Sequence, residues 1–501
     1  MKFLERVSAY CTEWYADNWN KCALGLVALA FVIRLYFLFE TKGQTLWWDE
    51  SEYGATALYL SEGVPYNLNP ERPFLFPGVL ALSFLIGLTE HLAKFFFSVI
   101  PASLGVLAMY ELGKELFDKR VGLLAAFCMT VSWTFVFWSA RLQPDHISML
   151  FQLLAILCMW RYWKYDEQKA ILFAGIFCSL AFQFKVSGLL VPMSFMVFML
   201  FRERLTFVMK KEYWFFGGIF LVAFLPQLIY SGIVFDNPLA LFTNTGYATV
   251  VLEEKPYGWY VLGFLYSLIE WPLFFFFVIG AIVACKTLLI LDVLYKDAKK
   301  SLDPSLYSLI VLLVVALFYI FYIRGAEDRW VFLWLPFMFL LSAQSILFFF
   351  DQIKKRSVLF SGLFLLILLG SIGAIQLTHA SEIIAQKEES YLPVKEAGKW
   401  LYLNSQSGVL VMTQSQPQTV YYAHRPISHL AQFKNATAFE AFIAEHRPGY
   451  LMVSLFEYHP EWVFPWIDNH QHLLKPVFVT YQDPEQTKPS LVLYQLTYET
   501  N

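Results

Sequence analysis

The chain has 501 residues, of which 58% are hydrophobic and 15% are charged, and its formal net charge is −3. Soluble globular proteins carry about 25% charged residues, so this composition argues against a soluble enzyme. The small negative charge provides no basic surface for a nucleic acid, and no nucleic-acid partner is expected.

Long apolar runs begin near residue 22 and continue to about residue 377. The preceding segment, 1–21, is amphipathic and is predicted to lie at the membrane interface. A helix needs about 20 apolar residues to cross a bilayer, and eleven transmembrane helices are predicted on this basis. They cover residues 22–40, 94–113, 121–139, 146–162, 169–184, 186–201, 214–235, 259–285, 306–323, 330–350 and 358–377.

One further apolar stretch, 74–88, decides which side of the membrane each later loop faces. Lys and Arg collect in cytoplasmic loops. If 74–88 does not cross and the N-terminus is inside, the inner loops hold 17 basic residues and the outer loops five. We therefore predict that 50–62 and 74–88 form helices at the outer membrane surface. The expected location is the cytoplasmic (plasma) membrane, with the C-terminus outside.

The chain becomes more polar after residue 379. Short apolar strands are predicted at 408–413, 450–455, 476–481 and 491–498, and helices at 394–404 and 438–446. The predicted fold is a multi-span α-helical membrane protein with a small extracytoplasmic α/β domain. Its predicted parts are the interfacial segment 1–21, a transmembrane catalytic domain 22–379 and the α/β domain 380–501.

Ionisable side chains gather at the predicted outer face, where the spans end. Such groups are costly at membrane depth and are commonly paired or functional. A carboxylate can accept a proton from an attacking hydroxyl, and Lys or Arg can stabilise a phosphate as it gains charge. Transfer of a sugar from a lipid phosphate needs both. The groups are Asp49, Glu50, Arg141, Asp145, Lys185, Glu327, Asp328 and Arg329.

Motifs around these groups resemble those of the GT-C membrane glycosyltransferases, especially the branch of protein O-mannosyltransferases and aminoarabinose transferases. The likeness covers about residues 22–350. The motifs are Arg34 with Trp48-Asp49-Glu50, Glu71-Arg72-Pro73-Phe74, the segment 110–120, Arg141 with Asp145, Phe184-Lys185 with Gly188, and Glu327-Asp328-Arg329-Trp330 with Pro336.

The resemblance implies an inverting transfer from a polyprenyl- or dolichyl-phosphate sugar to a hydroxyl of a protein, lipid or glycan, within the membrane lipids. It implies Asp49 as the general base and Glu50 as its support or a group that positions the acceptor. It implies Asp145 as the second acidic residue, which orients the acceptor or helps to hold a metal. If a divalent metal ion takes part, Asp49 and Asp145 are the candidates to hold it.

The same resemblance places the cationic side chains at the donor phosphate. Lys185 and Arg329 are expected to bind it directly, with Arg72 and Arg141 behind them. Glu327 and Asp328 are further acidic candidates in the loop that carries Arg329.

Two other functions remain open from the sequence. A transporter or flippase of lipid-linked sugars would carry charges near mid-membrane or on both faces, and paired broken helices. A glycan polymerase or ligase would need a larger outer loop than 236–258 to grip a long glycan. A structural scaffold would leave Trp48-Asp49-Glu50 without a role.

Overall fold

A computed structural model describes residues 12–243, 256–294, 299–323 and 327–498. Most of the predicted interfacial segment, much of the loop 236–258 and the basic residues Lys255, Lys296 and Arg324 lie outside the described residues. The chain divides into two compact units. The first unit comprises Met1–Thr41, Pro70–Leu75 and His91–Ala385, and the second comprises Lys42–Asn69, Phe76–Glu90 and Gln386–Asn501.

Helices account for nearly all of the described chain up to residue 386. In chain order they are α1 (Asn18–Glu40), α2 (Trp48–Glu62), α3 (Leu75–Leu85), α4 (Glu90–Lys94), α5 (Ile100–Leu116), α6 (Lys119–Val131), α7 (Trp133–Ser139), α8 (Asp145–Tyr165), α9 (Gln168–Phe184), α10 (Leu190–Glu203), α11 (Lys211–Phe235), α12 (Ala240–Thr243), α13 (Trp259–Ser267), α14 (Leu273–Leu294), α15 (Lys299–Leu317), α16 (Trp334–Lys354) and α17 (Val358–Gln386). Helices α2 and α3 belong almost wholly to the second unit, and the others build the first.

Seven helical stretches among the described residues are long and apolar enough to cross a membrane. The pair α6 and α7, bent by 52° at a short break, makes an eighth if it counts as one span. The predicted number of eleven therefore stays a prediction. Helix α3 has 11 residues, which extend about 16 Å, about half of the hydrocarbon thickness. It is shorter than a membrane span requires, and the placement of 74–88 at the outer surface stays a prediction.

The break between α6 and α7 is joined to two other elements of the first unit by side-chain hydrogen bonds. Gln376 of α17 accepts from the backbone N–H of Trp133 at 2.9 Å and donates to the carbonyl of Ile269 at 2.6 Å. The Trp133 indole donates to the carbonyl of residue 267, and the Thr134 hydroxyl donates to the carbonyl of residue 268. These bonds satisfy backbone groups that the helix ends leave without intrahelical partners.

The second unit contains a five-stranded sheet of order β2-β1-β3-β5-β4. Strands β1, β2 and β3 are parallel, and β5 pairs antiparallel with both β3 and β4. The elements are α18 (Leu392–Asn404), β1 (Val411–Thr413), α19 (Gln416–Ala423), β2 (Ile427–His429), α20 (Ala436–His446), β3 (Tyr450–Ser454), α21 (Val463–Asn469), β4 (Leu474–Tyr481) and β5 (Pro489–Leu496).

Strand β3 is buried along its whole length, and its side chains alternate between two apolar clusters. Leu451 packs in a cluster with Phe439, whereas Met452 packs in one with Val394. The sequence predicted β1, β3, β4 and β5, but it missed β2. The compact units also divide the chain differently from the predicted boundary at 379 and 380, because 42–69 and 76–90 group with the C-terminal segment.

Candidate functional site

Asp145 and Lys185 form an ion pair at adjoining ends of two helices of the first unit. Asp145 is the first residue of α8 and Lys185 follows the last residue of α9. The two helices are joined by residues 166–167 and pack along one another, so these ends meet. Lys185 Nζ donates to Asp145 Oδ1, and the Asp145 side chain is 1% exposed. Its other oxygen, Oδ2, is buried and has no hydrogen-bond partner among the described residues.

A tight turn fixes the backbone of Lys185. Residues Val186–Leu189 form a 3-10 turn, in which the N–H of Gly188 donates to the carbonyl of Lys185 at 2.9 Å. A Cβ atom at position 188 would lie 2.5 Å from backbone atoms of Ala181 and Phe182. Any larger residue there would push the turn away from α9 and displace Lys185.

Arg329 is the second cation of this cluster. Lys185 Nζ lies 3.4 Å from the carbonyl oxygen of Arg329. The Arg329 guanidinium donates from Nε to Glu327 Oε2 at 2.8 Å and lies over the Trp138 ring, 5.0 Å from its centroid. Trp138 in turn donates from its indole nitrogen to Asp328 Oδ2 at 3.0 Å. Glu327, in the same loop as Arg329, and Trp138 of α7 therefore both hold the guanidinium.

Glu327 and Asp328 contact Arg329 and its neighbour Trp138. Burial raises the pKa of Asp328 above its ordinary value, although the hydrogen bonds from Trp138 and from the backbone N–H of Arg329 act in the opposite direction. These contacts explain both acids as supports for the cation. Any direct action of either on a substrate stays a prediction.

Arg141, at the start of the loop before α8, and His146, directly after Asp145, are both almost completely buried. The carbonyl of Arg141 accepts a hydrogen bond from the Ser98 hydroxyl at 2.7 Å, which ties the loop before α8 to the first unit's core. His146 lies against the rings of Phe135 and Phe332. Arg141 is thus a buried residue of this loop, and its predicted role at the phosphate stays a prediction.

Asp49 and Glu50 occupy the first turn of α2, in the second unit. Asp49 is half-buried, whereas Glu50 is fully buried. Glu50 Oε2 accepts from the backbone N–H of Trp47 at 2.8 Å and so caps the start of its own helix. The cap gives Glu50 a structural role, and its predicted support of Asp49 stays a prediction. Arg72 is half-buried in the segment Pro70–Leu75 of the first unit.

The C-terminal elements of the second unit contact the segment that carries Asp49. The backbone N–H of Leu46 donates to the Tyr422 hydroxyl at 2.8 Å. Lys395 donates to the carbonyl of Gly43 at 2.9 Å. A Cβ atom at Gly54 of α2 would lie 2.5 Å from the Tyr421 ring of α19, so only glycine permits this approach. The acidic segment is therefore held on both sides by the C-terminal elements of the same compact unit.

No group of three or more His, Cys, Asp or Glu side chains in the described ranges is arranged to hold a metal ion. Asp145 already contacts Lys185 through one oxygen. The candidacy of Asp49 and Asp145 as metal ligands therefore stays a prediction from the sequence.

Three residues of the site's surroundings were not predicted. Trp138 supports Arg329, and the hydroxyl of Tyr319 donates to the carbonyl of Trp330 at 2.8 Å. Gln376 joins the breaks beside α7, the helix that carries Trp138. Only Gln376 left a signal in the sequence, because an amide inside an apolar run of α17 needs a partner.

Comparisons with known proteins agree with this architecture. A family model described as dolichyl-phosphate-mannose-protein mannosyltransferase matches residues 71–230. A search of curated proteins found no match. Among solved structures, ArnT from Cupriavidus metallidurans bound to undecaprenyl phosphate superposes with a TM-score of 0.64 at 11% identity, covering 94% of this chain and 97% of ArnT.

Two further structures share the fold over a smaller part of their own chains. Archaeal oligosaccharyltransferase AglB from Archaeoglobus fulgidus, in complex with an inhibitory peptide and a dolichol-phosphate, matches with a TM-score of 0.58 and 14% identity over 88% of this chain and 70% of AglB. Arabinofuranosyltransferase AftD from Mycobacteria matches with a TM-score of 0.52 and 11% identity over 94% of this chain and 40% of AftD. The resemblance predicted from the sequence is confirmed, and the chain has the fold of the GT-C membrane glycosyltransferases.

Proposed function

We propose that this protein is an inverting glycosyltransferase that takes a sugar from a polyprenyl- or dolichyl-phosphate donor. The observation that carries the proposal is the buried ion pair of Asp145 and Lys185, with the backbone carbonyl of Arg329 lying 3.4 Å from Lys185 Nζ. Arg329, from a distant part of the chain, thus lies beside this pair, where one apolar helix ends and another begins. The match to the mannosyltransferase family and the lipid phosphates bound in ArnT and AglB support a donor of this type.

In the proposed reaction the acceptor oxygen attacks the anomeric carbon from the face opposite the phosphate. The bond between that carbon and the phosphate oxygen breaks, and the electron pair leaves with the lipid phosphate. Lys185 and Arg329 stabilise the charge that the phosphate gains. Asp49 accepts the proton of the acceptor hydroxyl. Because phosphate is a good leaving group, no second carboxylic acid is needed to protonate it.

Asp145 has two tasks in this proposal. Through Oδ1 it orients Lys185, and it balances the charge of this lysine while no donor is bound. Its buried Oδ2 has no partner among the described residues, and a buried acceptor of this kind is costly until a donor reaches it. An acceptor hydroxyl is a suitable donor, which is the orienting role predicted for Asp145.

We further propose that the reaction occurs on the extracytoplasmic side of the plasma membrane, with the N-terminus inside. Cysteine-labelling of positions 49, 185 and 400 in intact cells tests this arrangement, because Lys185 is more exposed than its buried partner Asp145. Labelling of all three from outside is the expected result, and labelling from opposite sides would refute the assignment of Asp49 as the base. The acceptor class, whether protein, lipid or glycan, is to be identified by the same transfer assay.

The decisive experiment separates donor binding from chemistry. Purified protein is assayed for transfer from radiolabelled undecaprenyl- and dolichyl-phosphate sugars, and for binding of the corresponding lipid phosphate. Asp49→Asn should abolish transfer with unchanged lipid-phosphate affinity, whereas Lys185→Met should weaken that affinity about tenfold or more, as expected for one charge-assisted bond.

Lys164→Met is the matched control, because Lys164 is an exposed lysine that contacts Glu115 elsewhere in the first unit. Full transfer by Asp49→Asn would remove the assignment of the base. Transbilayer movement of a lipid-linked sugar without transfer would favour a flippase, and extension of a polymeric glycan would favour a polymerase or ligase.

A further inference from the structure

The strand order of the second unit contains a topological switch point between β1 and β3. Strand β1 lies between β2 and β3, and all three run parallel. From β1 the chain passes through α19 to β2 on one side, whereas from β3 it continues through α21 to β4 on the other side. Chains that leave adjacent parallel strands in opposite directions open a crevice at the carboxyl ends of those strands. Ligands of open α/β sheets bind at such topological switch points.

Polar side chains occupy this switch-point crevice, defined here as the residues that end β1 and β3 or directly follow them. Ser415 follows β1, Ser454 ends β3, and Glu457 lies in the loop after β3. Glu457 accepts the hydroxyl hydrogen bonds of both serines, one on each carboxylate oxygen. Both serines are buried, whereas Glu457 is partly accessible. One carboxylate therefore joins the two strand ends.

His459 adds a buried acceptor beside this carboxylate. Its Nε2 lies 2.7 Å from the carbonyl oxygen of Ser454 and 3.3 Å from the backbone nitrogen of the same residue. The shorter contact, with an oxygen that can only accept, places the proton on Nε2. In the neutral ring Nδ1 is then an acceptor, and this buried atom has no partner among the described residues. Gln418, in the first turn of α19, is fully buried, and neither atom of its amide has a hydrogen-bond partner in the described part of the chain. Native proteins rarely leave such buried groups unsatisfied, and a ligand that both donates and accepts hydrogen bonds would satisfy them.

Aromatic rings stand next to these polar groups. Phe464 is 48% exposed and its ring lies 5.4 Å from that of His459. Tyr458, between Glu457 and His459, is 79% exposed. Rings that face solvent beside hydrogen-bonding groups suit a ligand with both apolar and hydroxylated faces.

The chemistry of the crevice discriminates between ligand classes. The carboxylate of Glu457 repels a phosphate, and the chain after β1 reads Gln414-Ser415-Gln416-Pro417, without the glycines of a phosphate-binding turn. A neutral polyhydroxylated ligand satisfies the acceptors through its hydroxyl groups. We propose that the switch-point crevice binds a neutral sugar residue, at a site additional to the donor and acceptor positions of the proposed transfer reaction.

The test uses the full chain in lipid nanodiscs, which avoids sugar-headed detergents. Saturation-transfer NMR measures binding of methyl α-D-mannopyranoside, methyl α-D-glucopyranoside, methyl α-D-galactopyranoside and methyl β-L-arabinopyranoside. At least one glycoside should bind, and Glu457→Gln should weaken its binding about tenfold. Glu461→Gln, an exposed carboxylate in the same loop, should bind as the wild type does. Ser415→Ala serves as a second variant if the melting temperature shows that Glu457→Gln is destabilised.

Further outcomes separate this site from the transfer site. Binding that persists in Asp49→Asn and Lys185→Met supports an independent site, and binding lost in those variants would overturn it. Saturation transfer from none of the four glycosides, or wild-type affinity in both Glu457→Gln and Ser415→Ala, would also overturn it. So would displacement of the glycoside by adenosine monophosphate, because the crevice would then be an anion site.

Discussion

Replacing Gln376 with leucine removes a side chain that bridges two breaks in the helical backbone of the first unit. The amide is almost completely buried, accepts from Trp133 N at 2.9 Å and donates to Ile269 O at 2.6 Å. Leucine has a similar volume, so the main loss is hydrogen bonding. Both backbone groups belong to buried residues at helix ends, where no intrahelical partner can replace the amide.

Each buried group left without a partner costs about 1–3 kcal/mol, which gives about 2–6 kcal/mol for the two. Hydrogen bonds between membrane helices have measured contributions of about 0.6 kcal/mol on average, because a displaced side chain finds other partners. Backbone groups at a fixed break have fewer alternatives, so we expect about 2–3 kcal/mol. Helix α7 starts at this break and carries Trp138 beneath Arg329. The donor KM should therefore also rise.

The assay combines thermal unfolding of the detergent-solubilised protein with the donor KM of the transfer reaction. Gln344→Leu is the matched control, because the Nε2 atom of Gln344 is buried without a partner in the described ranges. It should be neutral or slightly stabilising. Gln376→Glu keeps an acceptor for Trp133 but loses the donor for Ile269, so it should also be destabilised. Equal melting temperatures and donor KM for wild type and Gln376→Leu would refute the reasoning.

Two further predictions concern how the charged groups are held. Tyr422→Phe leaves the buried N–H of Leu46 unpaired, so the transfer rate should fall about tenfold while the affinity for lipid phosphate stays unchanged. Tyr402→Phe, which changes an exposed ring, is the control, and an equal loss of transfer in both variants would contradict the expectation. Arg329→Lys loses the Nε contact to Glu327 and the face of Trp138. The kcat/KM for the donor should therefore fall about tenfold, with a lower kcat, and an unchanged kcat/KM would exclude this cation from the donor site.

The sequence indicated which residues belong to the charged cluster, but it did not indicate which side chains contact one another. Asp145 and Lys185 could be assigned to one face because each stands at the end of an apolar run and the basic loops fix the side. Hydrophobic periodicity does not reveal that Lys185 would pair with Asp145, since side-chain direction depends on the turn at Gly188. Trp138 gave no signal, because a tryptophan near a helix end is equally typical of a membrane interface.

The second unit shows the same limit. Its apolar strands were visible as alternating runs, but the three-residue β2 carries too few residues for a pattern. The segment 42–69 was assigned to the transmembrane part by its position in the chain. Its contacts with Tyr421, Tyr422 and Lys395 join residues more than 300 positions apart, which no local pattern encodes.

The ion pair of Asp145 and Lys185 further implies that donor and acceptor affinities are coupled. A donor phosphate that binds Lys185 weakens its contact with Asp145. Oδ1 of the buried carboxylate then lacks a hydrogen-bond partner, as Oδ2 already does among the described residues. A buried charge in this state costs several kcal/mol unless another hydrogen-bond donor replaces the lysine. The acceptor hydroxyl meets that need. Donor phosphate should therefore strengthen acceptor binding, and by linkage the acceptor should strengthen donor binding to the same degree.

We expect the apparent acceptor affinity to rise about tenfold between trace and saturating lipid phosphate, which is within the usual range of such couplings. Binding is measured with the Asp49→Asn variant, so that no turnover occurs. In the double variant Asp49→Asn, Asp145→Asn, the side chain at position 145 is neutral, so the loss of its contact with Lys185 leaves no buried charge. The coupling should then vanish while both ligands still bind. Acceptor affinity independent of lipid phosphate in Asp49→Asn would show that Lys185 keeps its contact with Asp145 when the donor is bound, and the phosphate would then have to be held by Arg329 without this lysine.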